Sequence, residues 1–221
     1  MSNSNLNNKD IAYFLGAFQS DGWFYTFRDK KRNKICHRLS ICGNKKSLPM
    51  IKKFQFVLNK YFQKNVSIEL RKDNAFYIQA SVNRVRETLF KLGIGSKVDV
   101  PKWIVRNSWF GAYLAGIIDG DGDISIKRPQ YPQCAIRITS GERLHQLKFN
   151  IEKMLNCSSH FTKIERDSII DGRKVHGEGF TLTFYVSPKN MDFIKKYVYP
   201  YIQIEHKRKK LEDFFKLKQN N

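Results

Sequence analysis

Acidic residues are scarce in this chain. Twenty Asp and Glu stand against 40 Lys and Arg, a formal charge of +20 over 221 residues. Such an excess says little about fold but much about partners, and nucleic acid comes first, with an anionic membrane surface as the rival. Long apolar runs are also missing. No segment approaches the ~18–20 apolar residues of a spanning helix, so no membrane partner is expected. The opening MSNSNLNNKD is polar and lacks the basic and apolar regions of a signal peptide. Cysteine is sparse: Cys36, Cys42, Cys134 and Cys157 form no CxxC pair, which argues against a zinc site and for free thiols in a reducing compartment. The five histidines show no ligand spacing. What remains is a chain with 41% hydrophobic residues, enough for a substantial core.

The chain contains one phrase twice. Residues 12–22 read AYFLGAFQSDG and residues 112–122 read AYLAGIIDGDG, a constant offset of 100. A self-match at fixed offset indicates two copies of one unit, with an aspartate, Asp21 or Asp121, at the same place in each. In the first copy Ile11, Phe14, Leu15 and Phe18 mark one helical face. Ala12, Gly16 and Ser20 form a second stripe, repeated by Ala112, Gly116 and Gly120. Small residues every four positions let two helices approach backbone to backbone, so these stripes are expected to pack together. Asp10 and Ser108 are the expected N-caps, and Gly22 and Gly122 the helix stops.

Period-two segments follow each motif: 23–28 and 123–128, then 37–42, 66–70, 75–82, 134–139, 160–165 and 180–186. Helical patterns fall at 47–63, 83–92, 142–155 and 188–198, and again from Glu205. The fold class expected is α+β, two pseudo-symmetric αββαββα units with the motif helices at the centre and antiparallel sheets outside. The halves are drawn at 1–98 and 108–221, with a linker at 99–107 where Pro101 disfavours a helix just before it.

A carboxylate at the C-terminal end of a helix faces partial negative charge and is disfavoured there by about 0.3–1 kcal/mol. Two such carboxylates at neighbouring helix ends also repel each other. A divalent cation resolves both problems, and Asp21, Asp121 and the carbonyls of Ser20 and Gly120 are the oxygen ligands Mg²⁺ prefers. An EF-hand loop from Asp119 fails, because its glycine position holds Ile124 and its closing acid position Gln130.

The phrases FLGAFQSDG (14–22) and LAGIIDGDG (114–122) resemble the motif of the LAGLIDADG homing endonuclease and maturase family. The resemblance implies motif helices as the central interface, and sheets forming a saddle over the DNA major groove. It further implies Asp21 and Asp121 as metal ligands at two sites, one per strand. The sixth motif position is acidic in the second copy, Asp119, but is Gln19 in the first; the resemblance gives it a packing or capping role. The resemblance also implies a lysine near each scissile phosphate, with Lys97, Lys207 and Lys45 the candidates.

Strand alternation sets the expected outward residues. Ile124 and Ile126 face the core, so Ser125 and Lys127 face out. The offset of 100 then puts Phe24 and Thr26 inward, and Tyr25 and Phe27 outward. Arg28, Lys30, Lys31, Arg32, Lys34 and Arg38 crowd the first hairpin. Lys127, Arg128, Gln130 and Arg137 lie in its counterpart, and Arg173 and Lys174 near a second hairpin tip. These are the candidate contacts to phosphates and base edges. The expectation is therefore a monomeric, site-specific double-strand DNA endonuclease of intron homing. It would use Mg²⁺, with Mn²⁺ or Ca²⁺ substituting for binding, inside the cell wherever its host DNA resides. The alternatives are an intron RNA maturase and a cleavage-inactive DNA-binding relative.

Overall fold

The structure, a computed structural model, describes residues 6–94, 100–128, 130–140, 144–170 and 173–219. The first half runs α1 (Lys9–Asp21), β1 (Gly22–Asp29), β2 (Lys34–Gly43), α2 (Leu48–Phe62), β3 (Glu69–Leu70), β4 (Phe76–Ser81) and α3 (Arg86–Leu92). The second runs α4 (Asn107–Asp121), β5 (Gly122–Lys127), β6 (Gln133–Ser140), α5 (Leu144–Leu155), β7 (Ser159–Ile170), β8 (Arg173–Val186) and α6 (Met191–Phe193). An added helix, α7 (Glu205–Gln219), ends the chain. Each half carries one antiparallel sheet, ordered β1-β2-β4-β3 and β5-β6-β8-β7. The expected α+β class and the two similar halves are both present.

The motif helices α1 and α4 occupy the centre. Residues 11–18 of α1 and 110–119 of α4 are buried on every side, as befits helices packed all round. Gly16 and Gly116 explain the contact. A Cβ on Gly16 would lie 2.1 Å from the Tyr113 carbonyl oxygen, and one on Gly116 would lie 2.3 Å from that of Tyr13. The backbones touch because both small stripes are present. Each sheet lays its inner residues on this core: Leu39, Ile41 and Ile78 in one half, and Ile124, Ile136, Ile138, Leu182 and Phe184 in the other. Helices α2 and α5 bury Phe54 and Leu58, and Leu147 and Ile151, against the same core.

The expected caps are corrected. Asn8, not Asp10, caps α1, its side chain accepting from the Ile11 amide at 3.0 Å. Asp10 lies in the first turn and binds Lys53 Nζ (2.7 Å) and the Tyr61 hydroxyl (2.8 Å). Ser108 lies inside α4, which starts at Asn107 behind an Arg106 that makes no side-chain cap bond. Gly22 and Gly122 do end the helices, but through extended backbone that enters the strand directly. Glycine is needed there for space, since a Cβ would fall 2.7 Å from the Phe18 carbonyl oxygen or 2.5 Å from that of Ile118.

The halves differ in their hairpins. Strand β3 has only two residues, whereas β7 and β8 run for 12 and 14, well past the expected 160–165 and 180–186. The ladder persists because cross-strand pairs continue along it: Phe161 stacks on Phe180 at 4.9 Å, and Lys163 bonds Glu178 at 2.6 Å. The expected helix at 188–198 is short. After α6 the chain makes a π-turn (Ile194–Val198) and a 3-10 turn (Tyr199–Tyr201). The π-turn presses Tyr197 on Gly111, where a Cβ would lie 2.2 Å from the Tyr197 carbonyl oxygen.

Candidate active site

The two aspartates sit where the motif helices converge. Asp21 closes α1 and Asp121 closes α4, and both are partly accessible. The last turns abut across the pseudo-two-fold axis. A Cβ on Gly120 would meet Ser20 Oγ at 2.0 Å and Asp21 Oδ2 at 3.0 Å. Ser20 Oγ itself donates back to the carbonyls of Gly16 and Ala17.

One turn earlier, a reciprocal pair of hydrogen bonds crosses the interface. The Tyr13 hydroxyl donates to Asp119 Oδ2 at 2.7 Å, and the Tyr113 hydroxyl donates to Gln19 Oε1 at 2.5 Å. The tyrosine of each motif thus holds the sixth position of the other. Asp119 also accepts from the amides of Gln203 (2.7 Å) and Ile204 (3.2 Å), pinning the strap that leads into α7. Burial pushes its carboxyl up to about 6, against the opposing pull of these donors and of nearby Lys207.

Lys207, expected beside a scissile phosphate, is placed elsewhere: it is 8% exposed. Its Nζ donates to the carbonyls of Ile118 (2.8 Å), Asp119 (2.7 Å) and Gly120 (3.4 Å), satisfying the open end of α4. Burial lowers its pKa, while Asp119, Asp21, Asp123 and Asp121 pull it upward. Lys45 lies exposed in the 3-10 turn after β2, and Lys97 lies outside the described residues.

Above the helix ends, each sheet turns one face away from the core. In the first half the register aligns Trp23 with Ser40 and Gln79, and Tyr25 with Arg38 and Ser81. Tyr25 and Phe27 therefore share this outer face, as expected. Arg38 stands 4.5 Å over the Phe27 ring and donates to Gln79 Oε1 at 2.9 Å, while Gln79 Nε2 donates to the hydroxyls of Tyr25 and Tyr77. Phe24 packs inward against Phe90, but Thr26, also expected inward, is exposed and bonds His37 at 2.8 Å. At the hairpin tip, Arg28 is clamped on Asn33 Oδ1 (2.6 and 3.1 Å), and Lys30, Lys31, Arg32 and Lys34 are exposed.

In the second half, Ser125, Lys127 and Arg137 face out, with Arg137 paired to Asp123 and Thr183. Lys127, Arg128, Gln130 and Arg137 are exposed. Arg173 and Lys174 lie in β8 opposite Ile170 and Ile169. Sequence reasoning missed Gln79, Tyr77, Thr181, Thr183, Tyr185 and His160, which lie on these outer faces. The alternation in 75–82 and 180–186 carries the signal, but only pairing decides which face is outer. Ala12 and Ala112 are buried in the helix pair with Gly16 and Gly116.

The donors at the helix ends suit a hard cation. They are two carboxylates and the carbonyls of Ser20 and Gly120, and among the described residues no group of three or more His, Cys, Asp or Glu forms a cage. A cation held here needs further oxygen ligands, which water and a phosphate supply; that is the habit of Mg²⁺ rather than of zinc.

Two fused α+β units meet through bare helix backbones, with a carboxylate at each helix end and a polar sheet face on either side; together these define a pseudo-dimeric fold with a two-part site. No family model and no curated protein matches the sequence. Solved structures do. I-DmoI in complex with DNA and Mn is 15% identical, over 88% of this chain and 98% of that one, with a TM-score of 0.53. The LAGLIDADG homing endonuclease I-GzeII in complex with its DNA target is 11% identical, over 95% and 90%, with a TM-score of 0.56. Full-length DUF199/WhiA from Thermatoga maritima is 16% identical, over 96% of this chain but 61% of that one, with a TM-score of 0.54. The chain has the LAGLIDADG homing-endonuclease fold.

Proposed function

We propose that the chain is a site-specific double-strand DNA endonuclease of the homing type. It acts as a monomer, hydrolysing one phosphodiester in each strand of a long, asymmetric site with Mg²⁺ or a similar divalent cation. The observation that carries this reading is the convergence of Asp21 and Asp121 at the abutting ends of α1 and α4, with Asp21 Oδ2 pressed on Gly120. A pure binding protein gains nothing from two carboxylates at two negative helix ends. The neighbouring structures bound to DNA, one with Mn, support the same substrate and cofactor.

In this mechanism Asp21 and Asp121, with the Ser20 and Gly120 carbonyls, would hold the cation. When bound, it supplies Lewis-acid stabilisation of the charge that builds on the phosphate oxygens and promotes ionisation of the attacking water. The chain's own residues do the rest. The hairpin cations Lys30, Lys31, Arg32, Lys34, Lys127 and Arg128 bind phosphates and fix the register. Arg38, Gln79, Arg137 and Thr183 meet base edges. The glycine contact between α1 and α4 fixes how far apart the two cuts fall.

The test is incubation with a plasmid library of candidate sites, with Mg²⁺ and with EDTA. Linear product only with Mg²⁺ is expected. Tight, salt-sensitive DNA binding without cutting at any site would leave a cleavage-inactive DNA-binding protein. Preferential binding of a structured intron RNA would point to the maturase reading.

A further inference from the structure

We propose that the first half carries a second site, a cation-walled cleft on the reverse of its sheet, which takes a small phosphorylated ligand of nucleotide size. The cleft encloses about 470 Å³ between the start of β2 and the chain entering α3, and Lys34, Ile35, His37, Arg84 and Arg86 line it. Glu87 is the one acid on its wall. Its position separates it from the face that carries Arg38 and Gln79. Side chains alternate along a strand, so His37 shares the inner face of the buried Leu39 and Ile41, while Arg38 stands on the other and bonds Gln79.

The duplication shows what is unusual here. Four residues beyond the motif glycine, strand register pairs Thr26 with His37 in the first half and Ile126 with Cys134 in the second. Cys134 is fully buried and Ile126 packs on the core. The same place is thus core in one copy and a polar pair in the other. That polar pair is held firmly. Thr26 Oγ1 bonds His37 Nδ1 at 2.8 Å, and the Phe24 ring lies nearly parallel to the imidazole at 5.8 Å. The His37 amide donates to Asn83 Oδ1 at 2.6 Å, and its carbonyl accepts from the Val82 amide at 2.9 Å. With Nδ1 engaged, Nε2 is the ring nitrogen left to meet a ligand.

The walls select the ligand. Lys34 and Arg84 are exposed, and Arg86 stands 5.0 Å over the Phe90 ring. Among the described residues none of these three cations is ion-paired to a carboxylate. Two guanidinium forks and an ammonium match the oxygens of phosphate groups. The volume falls in the range of small-molecule sites, about 300–1,000 Å³, which is more than a free phosphate fills. Ile35, 60% exposed, adds an apolar wall. A nucleobase can use such a wall and an inorganic anion cannot, so the ligand class is a nucleoside polyphosphate.

The experiment is isothermal titration of ATP into the full chain, without metal or DNA. Its outcome therefore does not depend on whether the chain cuts DNA. One ATP per chain is expected, with inorganic phosphate binding far more weakly. Arg84→Gln/Arg86→Gln should weaken ATP binding roughly tenfold or more. Lys52→Gln/Lys209→Gln removes the same charge at exposed positions elsewhere and should leave ATP binding unchanged. Thr26→Ile/His37→Cys installs the second half's apolar pair; it should melt no lower than the wild type and lose ATP.

A last arm separates a free nucleotide from a phosphate of a nucleic-acid strand. DNA duplex bound beforehand should leave the ATP site open, because the cleft lies on the reverse of the sheet. Displacement of ATP by the duplex would assign the cleft to the nucleic-acid surface and overturn the proposal. So would a wild type that binds no ATP, inorganic phosphate bound as tightly as ATP, or equal ATP affinity in the two double-charge variants.

Discussion

A single hydrogen atom on each of two residues sets the geometry of this molecule. At Gly16 and Gly116 any side chain would enter the opposite helix's backbone, 2.1 and 2.3 Å from carbonyl oxygens that cannot rotate away. Overpacking of this kind costs about 1–3 kcal/mol even where neighbours yield, and backbone yields least. Gly16→Ala is therefore expected to lower stability by at least that amount in urea unfolding, and an unchanged midpoint would contradict the close contact. The buried carboxyl of Asp119 makes a different prediction. Its pKa is about 6 in the folded chain against an ordinary 3.8, so folding takes up protons between those values. The stability this group contributes is fully present below 3.8 and is lost as pH rises through about 6. Two pH units correspond to about 3 kcal/mol. Thermal melts of the metal-free protein between pH 4 and 7 should show a steeper fall for the wild type than for Asp119→Asn. Parallel slopes would count against it.

Among the elements, α1 and α4 carry the symmetry and the hairpins carry the difference. The tyrosine bonds test the former. Tyr13→Phe removes a donor from the fully buried Asp119, at about 1–3 kcal/mol. Tyr113→Phe removes one from the half-buried Gln19, which can turn to water, and should cost less. Equal costs by chemical denaturation would show that the two sixth positions do the same work. The sequence made the helix pair legible because its cause is local: small residues at four-residue spacing can only mean close approach. The Asp-Gly ends were legible for the same reason. A second hairpin tip was legible, but the full length of β7 and β8 was not, because Gly177 and Gly179 break the alternation that marks a strand and only the partner's register keeps it extended. Lys207 was visible as a candidate but not in its place. Its partners, the Ile118 to Gly120 carbonyls, lie 87 to 89 residues away and have no signature in side-chain type. The same holds for the face shared by Arg38 and Gln79, which strand pairing alone creates.

For the whole molecule, charge and asymmetry combine. A net +20, with exposed Lys and Arg clustered on the hairpins around polar sheet faces, suits a long polyanion. Binding that neutralises six or more phosphates loses about 10³-fold or more in affinity between 50 and 200 mM salt. A fluorescence-anisotropy titration across that range should show this loss, and a flat response would contradict a phosphate-binding surface. The first half reaches out through β1–β2, the second through β7–β8, so the two halves offer different surfaces to the two ends of a site. The carboxylates remain paired nonetheless, one at the end of each motif helix. Strand-specific cleavage tests that pairing most directly. On a duplex labelled on each strand, the wild type with Mg²⁺ should cut both, Asp21→Asn only one, and Asp121→Asn only the other. If either substitution abolishes both cuts, or leaves both intact, the account of two sites shared by one helix pair is wrong.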